Sequence, residues 1–200
     1  VSRDERVFTT VRVVVVAVVA VLATLAYLFA RGPAVWQRLY HPLSYERVIE
    51  GAALRHKVNP FLVCAVVNAE SGFDADEVSK AGAIGLMQVM PETARELRQR
   101  GLVAETVVAG KELSDPEVNV EYGVAYLRYL IGRYHEVEVA LAAYNAGLRN
   151  ADVWAGAGGD IREAIDFPET RHFVLRVMRA RERYEDLYPD AFPTWRGNVR

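Results

Sequence analysis

Glu70 is the residue in this sequence best placed to do acid–base chemistry. It closes an apolar run, Phe61-Leu62-Val63-Cys64-Ala65-Val66-Val67-Asn68-Ala69-Glu70, and opens Glu70-Ser71-Gly72-Phe73 ahead of a glycine-rich segment. At the end of so apolar a helix, low-dielectric surroundings disfavour the carboxylate and the negative end of the helix dipole repels it. Both effects raise the pKa. A carboxyl group that keeps its proton near neutral pH can protonate the leaving oxygen of a glycosidic bond. Read alone, the residue fits equally a Glu that turns into water at a helix end.

Other chemistries find less support. His41, His56, His135 and His172 are scattered and form no H-E-x-x-H or paired-ligand spacing, so no metal site and no cofactor is expected. Gly82-Ala83-Ile84-Gly85 lacks the preceding strand, the full glycine fingerprint and the lysine of a phosphate loop. Neither Ser71 nor Ser79 stands in G-x-S-x-G, and both are better suited to hydrogen bonding around a cleft. The glycine segment reads as the wall of a sugar groove. Gly82 and Gly85 would let the backbone come close to a polysaccharide, Met87 would give an adaptable apolar surface, and Gln88 could both donate and accept. Leu86 reads as core, and without its neighbours Met87 would too. Tyr144 beside Asn145 at a helix end is compatible with packing and capping alone.

Read in order, four motifs resemble the soluble lytic transglycosylase family, which cleaves the peptidoglycan glycan strand. They are Glu70-Ser71, then Gly85-Leu86-Met87-Gln88, then Ala143-Tyr144-Asn145-Ala146-Gly147, and last Glu169-Thr170-Arg171. The connection from Leu113 to Gly123 matches as well, and the similarity covers residues 44 to 188. The resemblance implies an all-α, lysozyme-like catalytic domain that works with one catalytic Glu, here Glu70. It implies that Gly85, Leu86, Met87 and Gln88 line the cleft, Gln88 above all, that Tyr144 positions Glu70 or the sugar, and that Asn145 binds substrate or braces its motif. Ser79 and Glu169 are expected near the cleft, with Arg171 beside Glu169. Phe173 stands where the family often has Tyr, and Leu148 where Pro is frequent, which bears on substrate positioning and not on the acid. Asp74 and Asp76 follow Glu70, but no motif marks either as the second carboxylate of an ordinary glycosidase. In the implied reaction the C6 hydroxyl of N-acetylmuramic acid attacks C1 and leaves a 1,6-anhydro end. The rivals are a hydrolytic muramidase on the same fold and a glycan-binding scaffold protein without activity.

The elements that must hold these residues are helices. Asn59-Pro60 gives an N-cap and a first-turn proline for the helix that ends at Glu70. Pro91 starts another, and Ser114-Asp115-Pro116 a third, in which Val120, Val124, Leu127, Ile131 and Tyr134 recur at helical spacing. A helix through Val139 to Ala146 stops at Gly147. Pro168 starts the last, and Phe173, Val174, Val177, Met178 and Tyr184 supply its apolar face. No convincing alternating strand is visible. Gly156 to Gly159 reads as a loop and residues 189–200 as a loosely held tail.

The chain has 200 residues, enough for one compact domain and an appendage, and a net charge of −2, which gives no reason to expect nucleic acid as a partner. Cys64 is the only cysteine, so no intramolecular disulfide can form. The appendage is the apolar stretch 13–30 between Arg12 and Arg31, whose helical length approaches the roughly 30 Å of a bilayer core. It reads as an uncleaved signal anchor. A cleaved signal peptide is the competing reading, against which stand the length of the run and the lack of a small-x-small site. Flanking arginines nearly balance across the span. The implied substrate therefore sets the orientation, with residues 1–12 as a cytoplasmic tail, 31–43 as a tether and the catalytic domain outside the cytoplasmic membrane.

Overall fold

The computed structural model describes residues 3–30 and 34–198. The chain divides into two units, residues 1–40 and 41–200. In the first, α1 (Arg3–Ala30) and α2 (Ala34–Tyr40) are both helical. Helix α1 takes in most of the expected N-terminal tail, because nothing between Arg3 and Ala30 is a Gly or Pro that would interrupt it. Within it, residues 12–29 are long and apolar enough to cross a membrane, and they are exposed throughout. Helix α2 occupies part of the expected tether. Arg31, Gly32 and Pro33, where the tether was to begin, lie outside the described residues.

The second unit is built round α4 (Pro60–Glu70), every residue of which from Pro60 to Val67 is buried. Each fully buried Val or Leu contributes about 1.5–3 kcal/mol relative to exposure, so this segment is driven into the centre. The Asn59 side chain caps it by accepting from the amides of Phe61 at 2.8 Å and Leu62 at 3.4 Å. Helices α3 (Glu46–His56) and α11 (Pro168–Leu187) pack on α4. Between α4 and the long α7 (Pro116–Tyr134) lie a loop over residues 71–90, α5 (Pro91–Gln99) and the short α6 (Glu105–Val108). Asp115 caps α7 through the amides of Glu117 and Val118. Then come α8 (Val137–Ala146), α9 (Leu148–Gly156) and the short α10 (Ile161–Ala164). Helix α8 packs against α7, α9 and α11, which brings the A-Y-N-A-G segment to the core. Among the described residues no strand forms. Isolated bridges join Val78 to Ile84 and Ile84 to Val89. Cys64 is buried within α4, which pushes its thiol pKa far up and leaves it a small core residue.

Two boundaries differ from the sequence reading. The end of the expected tether belongs to the domain, because the Tyr188 and Tyr184 hydroxyls donate to the carbonyls of His41 and Pro42, each at 2.9 Å. The expected loose tail is also held. Phe192 is fully buried edge-on to Phe61, with ring centroids 5.1 Å apart, and α12 (Pro193–Asn198) follows it. The amides of Thr194 and Trp195 donate to the Glu50 carboxylate at 2.8 and 3.1 Å, a charge-assisted cap from α3 that no local pattern encodes.

Candidate active site

Glu70 is the last residue of α4 and is half-buried. Burial raises its carboxyl pKa to about 7, and the Arg176 guanidinium on α11 opposes the shift. Arg176 also donates to the carbonyl of Ala69 at 3.0 Å, so α11 secures the final turn of α4. Among the described residues no side chain or amide donates a hydrogen bond to Glu70. The next residue ties the helix end to the loop, for the Ser71 hydroxyl donates to the Leu86 carbonyl at 2.9 Å.

The loop over residues 71–90 is pinned by Asn119, a fully buried residue of α7. Its side-chain oxygen accepts from the Met87 amide at 2.8 Å, and its nitrogen donates to the carbonyls of Ile84 at 2.7 Å and Leu113 at 3.0 Å. This network explains Gly85. A Cβ there would lie 2.7 Å from the Asn119 amide nitrogen, and the backbone has φ +72°. The buried glycine therefore makes room for Asn119, where the sequence reading has it bring the backbone close to a polysaccharide. Met87 is corrected likewise. Its side chain is fully buried in the space left by Gly123, where a Cβ would come within 2.4 Å of the sulfur, so it offers no surface to a sugar.

Gln88 is partly exposed in the left-handed conformation, φ 45°, uncommon for a non-glycine residue. Its amide nitrogen donates to the carbonyls of Gly85 at 3.0 Å and Glu77 at 3.2 Å. Both donors are thus committed inward, and the group that remains is an acceptor. Ser79 closes the turn before it, with its hydroxyl accepting from the Ala83 amide at 3.0 Å and its own amide donating to the Ala83 carbonyl. It shapes the loop.

Tyr144, on α8, reaches across to the same loop and donates its hydroxyl to the Met87 carbonyl at 2.7 Å. Burial, with the Glu70 charge second, pushes its phenol pKa well up. Tyr144, Glu70 and the loop therefore form one electrostatic neighbourhood. Asn145 is exposed, and its side-chain oxygen accepts from the Thr170 hydroxyl of α11 at 2.9 Å. Thr170 is thus the member of the E-T-R motif that braces the A-Y-N-A-G segment. Glu169 is exposed at the start of α11, while Arg171 turns to the Ile165 carbonyl at the end of α10. The residues that sequence reasoning missed are Asn119, Thr170 and Arg176. Two of them carried a signal, Thr170 as the middle of the E-T-R motif and Asn119 as an amide between two valines near the start of α7. Among the described residues, no three His, Cys, Asp or Glu gather as a possible metal site.

The family described as "Transglycosylase SLT domain" matches residues 47–165. The soluble lytic murein transglycosylase of Escherichia coli K12 is 31% identical over 153 residues, 72% of this chain and 24% of that protein. Membrane-bound lytic murein transglycosylase C of Histophilus somni is 34% identical over 130 residues, 60% of this chain and 34% of the relative. The crystal structure of the 70 kDa soluble lytic transglycosylase from E. coli is similar with a TM-score of 0.69 and 29% identity, covering 80% of this chain and 26% of that one. The chain thus spans about a quarter to a third of the length of these relatives.

Proposed function

The chain belongs to the transglycosylase SLT domain family, and from that premise we propose that it is a membrane-anchored lytic transglycosylase acting on the glycan strands of peptidoglycan. Glu70 is its single general acid and base. The protonated carboxyl gives its proton to the oxygen between N-acetylmuramic acid and N-acetylglucosamine as the bond from that oxygen to C1 breaks. The carboxylate then takes the proton of the muramoyl C6 hydroxyl as O6 bonds to C1, closing a 1,6-anhydro ring and restoring the acid without water. A group with a pKa near 7 is balanced for both halves of this cycle. The observation that carries the reading is therefore the half-buried Glu70 carboxyl, raised to about 7 at the end of an apolar helix.

Around it, Gln88 presents its amide oxygen to sugar hydroxyl or N–H donors, because its own donors are tied to Gly85 and Glu77. Asn145 offers its amide nitrogen while Thr170 holds its oxygen. Tyr144 positions the loop through the Met87 carbonyl, with Gly85 and Ser79 giving that loop its shape. Glu169, exposed in the first turn of α11, is the remaining residue offered to the substrate. Residues 13–30 serve as a signal anchor, with 1–12 in the cytoplasm and the catalytic domain outside, a reading supported by the length and apolar character of α1 and by the membrane-bound relative.

Digestion of peptidoglycan in oxygen-18 water tests the chemistry. Attack by O6 gives anhydro-muropeptides with no label at the new end. Mainly reducing, labelled ends would make the enzyme a hydrolytic muramidase, and no cleavage by the wild-type chain would favour a binding scaffold. For the anchor, the full chain should fractionate with membranes while residues 41–200 remain soluble and helical by circular dichroism.

A further inference from the structure

A groove of about 690 Å³ runs along α11 in the second unit. Arg176, Arg179 and Arg183 line it at intervals of three and four residues, which places them in one row on the helix. None of the three forms an ion pair among the described residues. His41 lines the same groove, and its buried Nδ1 has no hydrogen-bond partner. The opposite charge runs beside the arginines, as Glu182 and Asp186 are also in the lining. One end of the groove adjoins the acid, because Asn68 lines it and Arg176 reaches from it to the Ala69 carbonyl.

We propose that this groove binds the peptide stem of the glycan strand that is cut at Glu70, with stem carboxylates on the arginine row and a stem ammonium group toward Glu182 and Asp186. The assignment rests on the reading of Glu70 given above and adds to it a second recognition site. Length agrees, since Arg176 to Arg183 spans about 10 Å of helix, the reach of about three extended residues. Charge pattern selects the occupant. A polyanion, whether a phosphodiester polymer or a sheet of acidic lipid headgroups, would meet the arginines but be repelled by the adjacent carboxylates. A zwitterionic peptide satisfies both rows, and guanidinium groups match carboxylates in geometry as well as charge.

The test compares glycan strands carrying intact tetrapeptide stems with the same strands stripped of peptide by an amidase. The full-length chain in detergent is assayed as wild type and as Arg179→Glu/Arg183→Glu, with Arg179→Gln/Arg183→Gln as a milder pair. All of these positions are exposed. On peptide-bearing strands the double variant should raise KM about tenfold with kcat retained, while cleavage of stripped strands stays unchanged. Free tetrapeptide, titrated calorimetrically, should bind the wild type and lose affinity for both variants. Equal losses on the two kinds of strand would overturn the proposal, as would undiminished tetrapeptide binding by the variants. If the wild type cleaves neither strand, the enzymatic reading fails, but the peptide titration still decides the groove.

Discussion

Glu70 and Glu121 are carboxylates on helices of the same domain, and their environments drive them in opposite directions. Glu121, on α7, is the more deeply buried, with a side-chain exposure of 0%. Burial alone would raise its pKa, yet His56, the Ala104 amide and Arg55 hold it down to about 2. His56 Nε2 lies at 2.7 Å, the Ala104 nitrogen at 2.8 Å and Arg55 Nε at 2.9 Å. Glu70 is less buried but has no donor among the described residues, and the one cation that acts on it is an exposed arginine, screened by water. Burial therefore does not decide the protonation state by itself. The count of donors aimed at the carboxylate does, and it separates a group that ties α3, α7 and the α6 entrance together from one that can exchange a proton near neutral pH.

The comparison is broken most sharply at Glu70. Glu70→Gln should lower strand cleavage about 10²–10⁴-fold, because Gln keeps the shape and cannot deliver a proton. Its thermal midpoint should equal or exceed that of the wild type, since a buried carboxyl without donors is removed. Cleavage near the wild-type rate would defeat the assignment.

Glu121→Gln should do the reverse, costing about 3 kcal/mol of stability in chemical denaturation while the folded fraction keeps its turnover. That figure is the low end for a broken buried pair, because Arg55 can turn into water. The sign with pH follows from a lowered pKa. The stabilisation is complete above the ordinary value of 4.5 and is lost as pH falls through about 2. Acid denaturation of the Gln variant should lack this part of the wild-type profile, and an unchanged acid limb would show that the cluster is not stabilising.

Asn119→Ala sharpens the contrast by separating position from protonation. It strands the Met87 amide and the carbonyls of Ile84 and Leu113, at a cost of about 1–3 kcal/mol. It should also lower cleavage through the misplaced loop while leaving the pH profile of the remaining activity in place. A shifted profile would mean that Asn119 acts on the ionisation of Glu70.

The smallest effect is expected at Arg176. Activity that needs a protonated Glu70 is present at low pH and falls as pH rises through about 7. Arg176→Gln removes the cation that favours the carboxylate, so on peptide-free strands this alkaline limb should move to higher pH. Movement to lower pH would contradict the electrostatic role given to Arg176.

Local rules made much of the scaffold legible. Asn59-Pro60 and Asp115-Pro116 carry their own caps, and the unbroken apolar run from Phe61 to Val67 can only be a central element. The same run made Glu70 a candidate acid before any contact was known. What could not be read were contacts between residues distant in sequence. Phe192 lies in a segment whose composition suggests a free tail, yet it meets Phe61 across 131 positions of chain. Met87 looks equally suited to a groove or a core, and only the missing Cβ of Gly123, on α7, decides for the core.

From the sequence alone came the helical class, the place of Glu70, the candidate acid, at the end of α4 and the order of the motifs along the chain, because capping, periodicity and apolar patterning act over a few residues. Tertiary structure alone decided that Asn119 shapes the G-L-M-Q loop, that Thr170 and not Glu169 meets Asn145, and that Glu121 is held ionised while Glu70 is raised to about 7. Hydrogen-bond donors and solvent exclusion at a carboxyl group come from segments far apart in the chain, and nothing in the local sequence specifies which of them arrive.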